Sequence, residues 1–555
     1  MLKKVLSILM LLSILLLSAC SPSIANAEQT ISLEEGTSAE VLTGPDADAT
    51  EPEQERQTEA TTSDRPADWS EEAHGKDAEP NYAVVFPQDQ VNQITITIEP
   101  EDWEVMQANM VELYGEAGAG ENQLNFAGQD GEPPMGEPPQ PGEELPQNPQ
   151  ENFRPGENNE RPRPGENNGQ NLQQPGELRP GVDNGIRDGK MVSENPTWVE
   201  ATIEFNGLTW TNVGVRYKGN SSLMHSWKTG TLKLPFKLDF DEFEDEYPEI
   251  DDQRFYGFKQ LSLANGFSDA SFLRDAITAD ILADAGLPAA ETAFYEVFLD
   301  YGEGPVSLGL YTMIEVIDDT AVERYFGSDD GNIYEGEGSA ASFAANTYDQ
   351  IEESFQKENN EDSDWSDIEA FFDVLHSDLR STDPAVWRAE MESVFNVDAF
   401  LEWLAISAVI QHWDGYGAIS HNYYLYHNPE TDQLTWISWD HNQAMQQEMG
   451  GINRPNDRSV TLDKAEIDES WPLIRFLLDD PVYSAAYLAY LQETIEGPFN
   501  ADAMADKYQA MADLIEPYAI ADVGEDAFEA AVQQLIQHAY QRAEAVEAFL
   551  ATNRQ

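Results

Sequence analysis

The sequence predicts an α+β chain in two lobes: a strand-rich first lobe, then a mostly helical second lobe that carries one inserted β-hairpin. Three observations support this. From Tyr82 to Asp318 apolar and polar residues alternate in short runs, as half-buried strands require. From Asp319 onward apolar residues recur at helical spacing. Between His421 and Asp440 the helical spacing gives way to two strand-like runs around Asn428-Pro429.

Met1 to Cys20 reads as a secretion signal. Lys3 and Lys4 supply the charged start, and Val5 to Leu17 is an apolar run too short for a comfortable membrane span. It ends Leu17-Ser18-Ala19-Cys20, which resembles a bacterial lipobox. That resemblance implies cleavage before Cys20, lipid on its thiol, and an extracytoplasmic chain whose only membrane attachment is the lipid. The alternative is an ordinary signal cut elsewhere, with Cys20 discarded. Cys20 is the only cysteine among 555 residues, so no intrachain disulfide can form.

Acidic residues number 104 against 30 basic ones, for a formal charge of -74. Nucleic-acid binding needs basic patches against phosphate, so this balance argues against it. It favours solubility in a saline or cation-rich exterior. Apolar residues make up 41% of the chain, enough for a substantial core.

Residues 21–81 are acidic and without apolar periodicity, and read as a disordered tether. The first lobe then spans 82–318. Ile94, Ile96 and Ile98 alternate with Thr95 and Thr97 as a strand, and Pro100-Glu101-Asp102 opens a helix. From about 115 to 196 the composition shifts to Pro, Gly, Asn and Glu, with Pro-Gly-Glu recurring; this insert reads as a long disordered loop. Alternation resumes at Trp198–Phe205 and Leu208–Tyr217, which runs into Lys218-Gly219-Asn220-Ser221-Ser222, a turn able to cradle phosphate. In Leu232–Phe240, Phe236, Leu238 and Phe240 share one face and Lys233, Lys237 and Asp239 the other. Leu261–Asn265 is a short buried strand, and Ser268-Asp269 caps a helix over 270–285. Phe294–Leu299 and Gly309–Val316 are strands, and a short linker through Glu315 and Asp318 leads to the next helix.

The second lobe, 319–555, reads as helices that include Val397–Gln411, Ala501–Tyr518 and Glu525–Thr552. The first of these delivers His412-Trp413-Asp414. His421-Asn422 opens the hairpin and Asp440-His441-Asn442 closes it. Asp414, Asn422 and Asp440 therefore stand at strand mouths. A carboxylate before a hairpin, an amide at its entry and a carboxylate at its exit resemble a kinase catalytic core, where one Asp orients the acceptor hydroxyl and an Asn and a second Asp hold the metal on the nucleotide phosphates. Oxygen ligands suit Mg2+. Each residue alone is equally a turn former or helix cap.

Several ordered segments together resemble the CotH family, the spore-coat-protein-H-type atypical kinases: VRYKGNSS (215–222), KLPFKLDF (233–240), LANGFSDASFLRDAI (263–277), GLYTMIEVID (309–318), HWDGYGAISHNYYLY (412–426) and WISWDHNQ (436–443). The resemblance implies a divergent two-lobed protein-kinase-like fold. It also implies phosphorylation of Ser/Thr in secreted or cell-envelope proteins, using ATP with Mg2+ or Mn2+. Carried over, Asp414 matches the family's active-site Asp, Asp440 its metal-binding Asp and Asn422 its hairpin Asn. Lys218, Lys237 and Arg274 are nucleotide-site candidates, with Glu315 at the hinge. Two departures stand out: there is no HRD or DFG triplet, and Asp440 is followed by His441-Asn442 rather than by another acid two residues on. The competing reading is a catalytically inactive CotH-like surface lipoprotein that binds the envelope or Ca2+.

Overall fold

The computed structural model describes residues 65–119, 185–187, 190–192, 195–360, 363–446 and 461–553. All of them fall in one unit, Ala60–Gln555. Cys20 with its signal segment and most of the Pro/Gly insert lie outside the described residues.

The strands, in chain order, are β1 (Asn92–Thr97), β2 (Gly185–Arg187), β3 (Lys190–Val192), β4 (Val199–Phe205), β5 (Leu208–Tyr217), β6 (Phe236–Asp239), β7 (Gln260–Ala264), β8 (Thr292–Asp300), β9 (Val306–Glu315), β10 (Ile333–Gly336), β11 (Phe355–Lys357), β12 (Tyr423–Asn428) and β13 (Gln433–Ser438). Seven of them close into a barrel in the order β1-β4-β5-β6-β7-β9-β8. β1 makes the closure. It runs antiparallel to β4, with Ile96 opposite Ile203, and parallel to β8, with Ile96 opposite Leu299. The alternation seen in the sequence fills the interior: Ile94, Ile96, Val215, Tyr217, Phe236, Leu238, Leu261, Leu263, Tyr295 and Met313 are all buried. On the opposite face one register row runs Arg216–Lys237–Ser262–Ile314 across β5, β6, β7 and β9.

The last residues of the expected tether belong to the fold. His74 is buried between the rings of Trp69 and Trp210, with centroids 5.2 and 4.6 Å away. Backbone bonds from Arg254 N to His74 O and from Tyr256 N to Ala73 O, both 2.8 Å, fasten this segment to the barrel. Aromatic stacking and backbone pairing, which apolar periodicity does not report, order it.

The expected boundary at 318/319 falls between β9 and the helix Asp319–Phe326, which Asp318 caps through the amides of Thr320 and Ala321. A second sheet follows in the order β11-β10-β12-β13. The helix Val397–Val409 is apolar on nearly every side and is buried among its neighbours. Asn396 caps it by accepting the Ala399 amide. The two long C-terminal helices, Ala501–Val523 and Glu525–Asn553, pack on each other. From the first of them Asp522 reaches the barrel, pairing with Lys233 and accepting the Leu310 amide at 2.9 Å.

Two helix limits differ from expectation by about a turn. The helix after β7 begins at Arg274, not Ala270, because Phe272 takes a positive φ of 58° and Asp269 Oδ2 accepts the Arg274 amide. The helix expected to stop at Tyr518 runs through Pro517 to Val523. Among the described residues no helix is long and apolar enough to cross a membrane.

Candidate active site

The helix Val397–Val409 ends in a turn that presents His412, Trp413 and Asp414 beside the open end of the β12–β13 hairpin. Asn422 Nδ2 donates to the Asp414 carbonyl at 2.7 Å, which fixes the turn to the hairpin entry. Across the hairpin, Trp439 N donates to Asn422 O at 3.1 Å and places Asp440 at the exit. Asn422 and Asp440 both lie in the left-handed region, with φ of 67° and 53°. Asn and Asp tolerate that region better than other side-chain-bearing residues, and such strain concentrates at functional sites. Asn422 is thereby bonded to the Asp414 backbone on one side and to Trp439, the residue before Asp440, on the other.

Below them lie two buried histidines that sequence reasoning passed over. His412 Nε2 donates to the Asp440 carbonyl at 3.1 Å. Its Nδ1 is buried without a hydrogen-bond partner, consistent with the neutral tautomer, and burial lowers its pKa. His441 packs edge-on against it at 5.5 Å, 3.0 Å from Ser438 Oγ, and burial holds its pKa well below the usual value. Neutral rings here support the Asp440 turn without adding positive charge.

The barrel supplies the other wall. Lys218, just past β5, donates to Ser262 Oγ at 2.9 Å and sits 5.4 Å from the centre of the Trp439 ring. This links the barrel's outer row to the residue before Asp440. Lys237 lies in the same row as the register partner of Ser262. Its charge acts on Glu358, whose pKa is raised by burial against the lowering effect of Lys237. Glu358 Oε1 is buried without a hydrogen-bond partner.

Asp275 also comes to this place. Its Oδ1 accepts the amide of His441 at 3.1 Å. Burial, then the negative charges of Asp440 and Asp269, push its pKa up to about 7, against the His441 amide and Lys218. Asp275 stands inside the segment LANGFSDASFLRDAI, next to the residue chosen from the sequence.

That chosen residue, Arg274, is held by its own loop. Its Nη1 donates to Ser268 O at 2.9 Å and its Nε lies 3.8 Å from Asp269 Oδ1. Glu315 is likewise structural. It is 1% exposed, pairs with Arg324 at 2.5 Å, and accepts from Tyr82 Oη at 2.7 Å and Glu291 N at 2.9 Å. Both were expected at the nucleotide; Glu315 is bound on all sides by protein groups, whereas Arg274 gives Nη1 to Ser268 O and keeps an Nε without a hydrogen-bond partner.

The profile of the family described as CotH kinase protein matches residues 215–546, more than half of the 555-residue chain. The chain belongs to the CotH kinase family. It is 23% identical over 276 residues to the inner spore coat protein H of Bacillus subtilis (strain 168), a match covering 48% of this chain and 71% of that protein. It is 25% identical over 264 residues to Invasin CotH2 of Rhizopus delemar, covering 45% of this chain and 43% of that protein. A solved HipA–HipB–operator DNA complex from Shewanella oneidensis MR-1 aligns with 54% of this chain and 61% of that chain, at 12% identity and a TM-score of 0.26; that score is too low to support an argument.

The CotH match spans every residue of the site, from Lys218 to Asp440. The donors at the hairpin mouth are the hard oxygens that a divalent cation such as Mg2+ prefers. Neither Asp440 carboxylate oxygen has a hydrogen-bond or ion-pair partner among the described residues. Asn422 Oδ1 accepts from His421 Nδ1 at 2.7 Å and keeps a second lone pair. These residues fit such an ion.

Two other acidic places lie apart from this site. Asp241, Glu244 and Asp252 lie close together, but Arg254 and Lys259 pair with Asp241, and Lys76 with Asp252. A cavity of about 450 Å³ lined by Glu323, Asp329, Asp330 and Glu430 opens at the turn end of the hairpin, away from Asn422 and Asp440, and its carboxylates would repel phosphate.

Proposed function

We propose that this CotH kinase family member transfers the γ-phosphate of ATP to Ser or Thr hydroxyls of secreted or cell-envelope proteins. The barrel would act as the nucleotide-covering lobe and the helical half as the substrate lobe of a divergent two-lobed kinase. We further propose that it works outside the cytoplasm, tethered through lipid on Cys20; the support is the lipobox-like Leu17-Ser18-Ala19-Cys20. The observation that carries the phosphotransfer reading is the bonding of Asn422 to Asp414 on one side and to Trp439, the neighbour of Asp440, on the other.

In this reading Asp440 and Asn422 hold Mg2+ or Mn2+. Such an ion, when bound, would neutralise charge on the phosphate oxygens. Lys218 and Lys237 add positive charge from the barrel wall. Asp414 orients the acceptor hydroxyl and receives its proton as the hydroxyl oxygen bonds to the γ-phosphorus. The bond from that phosphorus to the β–γ bridging oxygen breaks, and ADP leaves. Catalysis is then positioning and electrostatics, as in other phosphoryl transfers.

The test incubates the full secreted chain with labelled ATP, Mg2+ or Mn2+ and proteins of the same secreted fraction. Asp414→Ala should lower transfer roughly a hundredfold or more while leaving the melting curve unchanged. Full transfer by that variant removes the assignment. No transfer by wild type, with no thermal stabilisation by ATP and metal, would favour an inactive binding protein.

A further inference from the structure

We propose that Asp275 supplies the second carboxylate of the cation site, taking the place of the acid that this chain lacks two residues after Asp440. This rests on the phosphotransfer reading of the cleft. Asp275 stands in the first turn of the helix Arg274–Asp284. Its Oδ1 accepts the His441 amide at 3.1 Å, and His441 is the residue directly after Asp440. The two carboxylates are therefore neighbours in space although 165 residues apart in the chain.

What distinguishes this pair is what its oxygens lack. Asp275 Oδ2 and both carboxylate oxygens of Asp440 have no hydrogen-bond or ion-pair partner among the described residues. Other acids nearby are satisfied. Asp269 accepts from Ser271 N, Ser271 Oγ and Arg274 N. The Asp241 group is paired with Arg254 and Lys259. Two adjacent carboxylates, mutually repelling and left with bare oxygens, are the kind of donors a hard divalent cation takes. The His441 bond leaves one Asp275 oxygen for the ion and orients it, as outer hydrogen bonds do for metal ligands.

The His441 bond alone would make Asp275 a prop for the turn. Asp275→Asn separates the two roles, because an amide oxygen still accepts the His441 N–H while the charge is gone. We would titrate the full chain with Mn2+ by calorimetry and by loss of the free-ion electron paramagnetic resonance signal, with and without a non-hydrolysable ATP analogue. Asp275→Asn and Asp440→Asn should each weaken Mn2+ binding tenfold or more. In EDTA, Asp275→Asn should melt no lower than wild type, since it removes one of two repelling charges. Wild-type Mn2+ affinity in Asp275→Asn, with affinity lost in Asp440→Asn, would reduce Asp275 to a prop and leave the phosphotransfer reading standing. A wild-type chain that binds no Mn2+ with nucleotide would overturn both.

Discussion

Arg324, on the helix just after the barrel, reaches back 2.5 Å to the carboxylate of Glu315, at the end of the last barrel strand. The same guanidinium donates to Ala289 O at 2.9 Å and lies 3.1 Å from Glu291 Oε1. Tyr82 closes the network by donating to Glu315 Oε1 at 2.7 Å. A hinge position near a nucleotide site and a buried structural ion pair look alike in sequence; the partners distinguish them.

Breaking this pair from one side should be costly. Arg324→Ala leaves Glu315, 1% exposed, without its main counter-charge. A loss of about 3 kcal/mol is expected from uncompensated burial of that kind. Glu315→Gln, which keeps an acceptor for Tyr82, should lose less. Urea unfolding measures both. If Glu315 is structural, Glu315→Gln folded at low denaturant should bind nucleotide as wild type does.

A second expectation concerns pH. Asp239 is buried, and burial, then a hydrogen bond with Asp241 and the charge of Asp241, push its pKa up to about 7. The Asp241 carboxylate is paired with Arg254 at 2.6 Å. The folded chain therefore holds a proton that the unfolded chain releases near pH 4. Between about 4 and 7 the folded state binds more protons, so stability falls as pH rises, and the penalty is complete above about 7. Asp239→Asn keeps a donor toward Asp241 and an acceptor for Gln260 Nε2. It should raise stability at pH 8 by on the order of 2 kcal/mol and have little effect at pH 4. Thermal melts at both pH values decide it; equal shifts at both would deny the shared proton.

The parts of this molecule that the sequence made legible are those whose cause is local. Period-two alternation in Ile94–Ile98 and Phe236–Phe240 follows from the pleat, and the hairpin follows from Asn428-Pro429 between two apolar runs. The nearness of Asn422 to Asp414 and Trp439 was legible because one short hairpin ties their backbones together. Barrel closure was not, because it needs β1 beside β8, about two hundred residues later, and alternation does not name a partner. Asp275 escaped for the same reason, since its bond to His441 spans 166 positions. Arg274, a nucleotide-site candidate from the family resemblance alone, gives its Nη1 to Ser268 O.

The segment 65–81 gives a third expectation. His74 Nε2 donates to Thr209 O at 3.1 Å, while its ring stacks on Trp210, a fully buried barrel residue. Arg65 Nη1 donates to Asp251 O at 2.7 Å. A chain beginning at residue 82 would uncover Trp210 and orphan these groups. It should melt clearly below a chain beginning at residue 60, and show a Trp emission shifted to the red. His74→Ala in the longer chain should cost about 2 kcal/mol, the usual scale for losing a buried ring and its hydrogen bond. Identical melting of the two lengths would return 65–81 to the tether.

Lys464 gives the fourth. It is 5% exposed, and no carboxylate pairs with its ammonium among the described residues. Burial, opposed by Glu466 and reinforced by Arg542, lowers its pKa from 10.5 to about 8. At pH 7 the group is charged in both the folded and the unfolded chain, so the folded state bears the full cost of a buried ammonium. Two to three pKa units correspond to about 3 kcal/mol. As pH rises from about 8 to 10.5 the folded chain loses its proton first, the unfolded chain binds more protons, and stability rises. Lys464→Met, close in volume and without charge, should therefore raise the melting temperature at pH 7. That advantage should shrink steadily above pH 8 and nearly vanish by 10.5. A substitution that stabilises equally across this range would trace the gain to packing, and one that destabilises at pH 7 would mean that the ammonium is held by a partner in the folded chain.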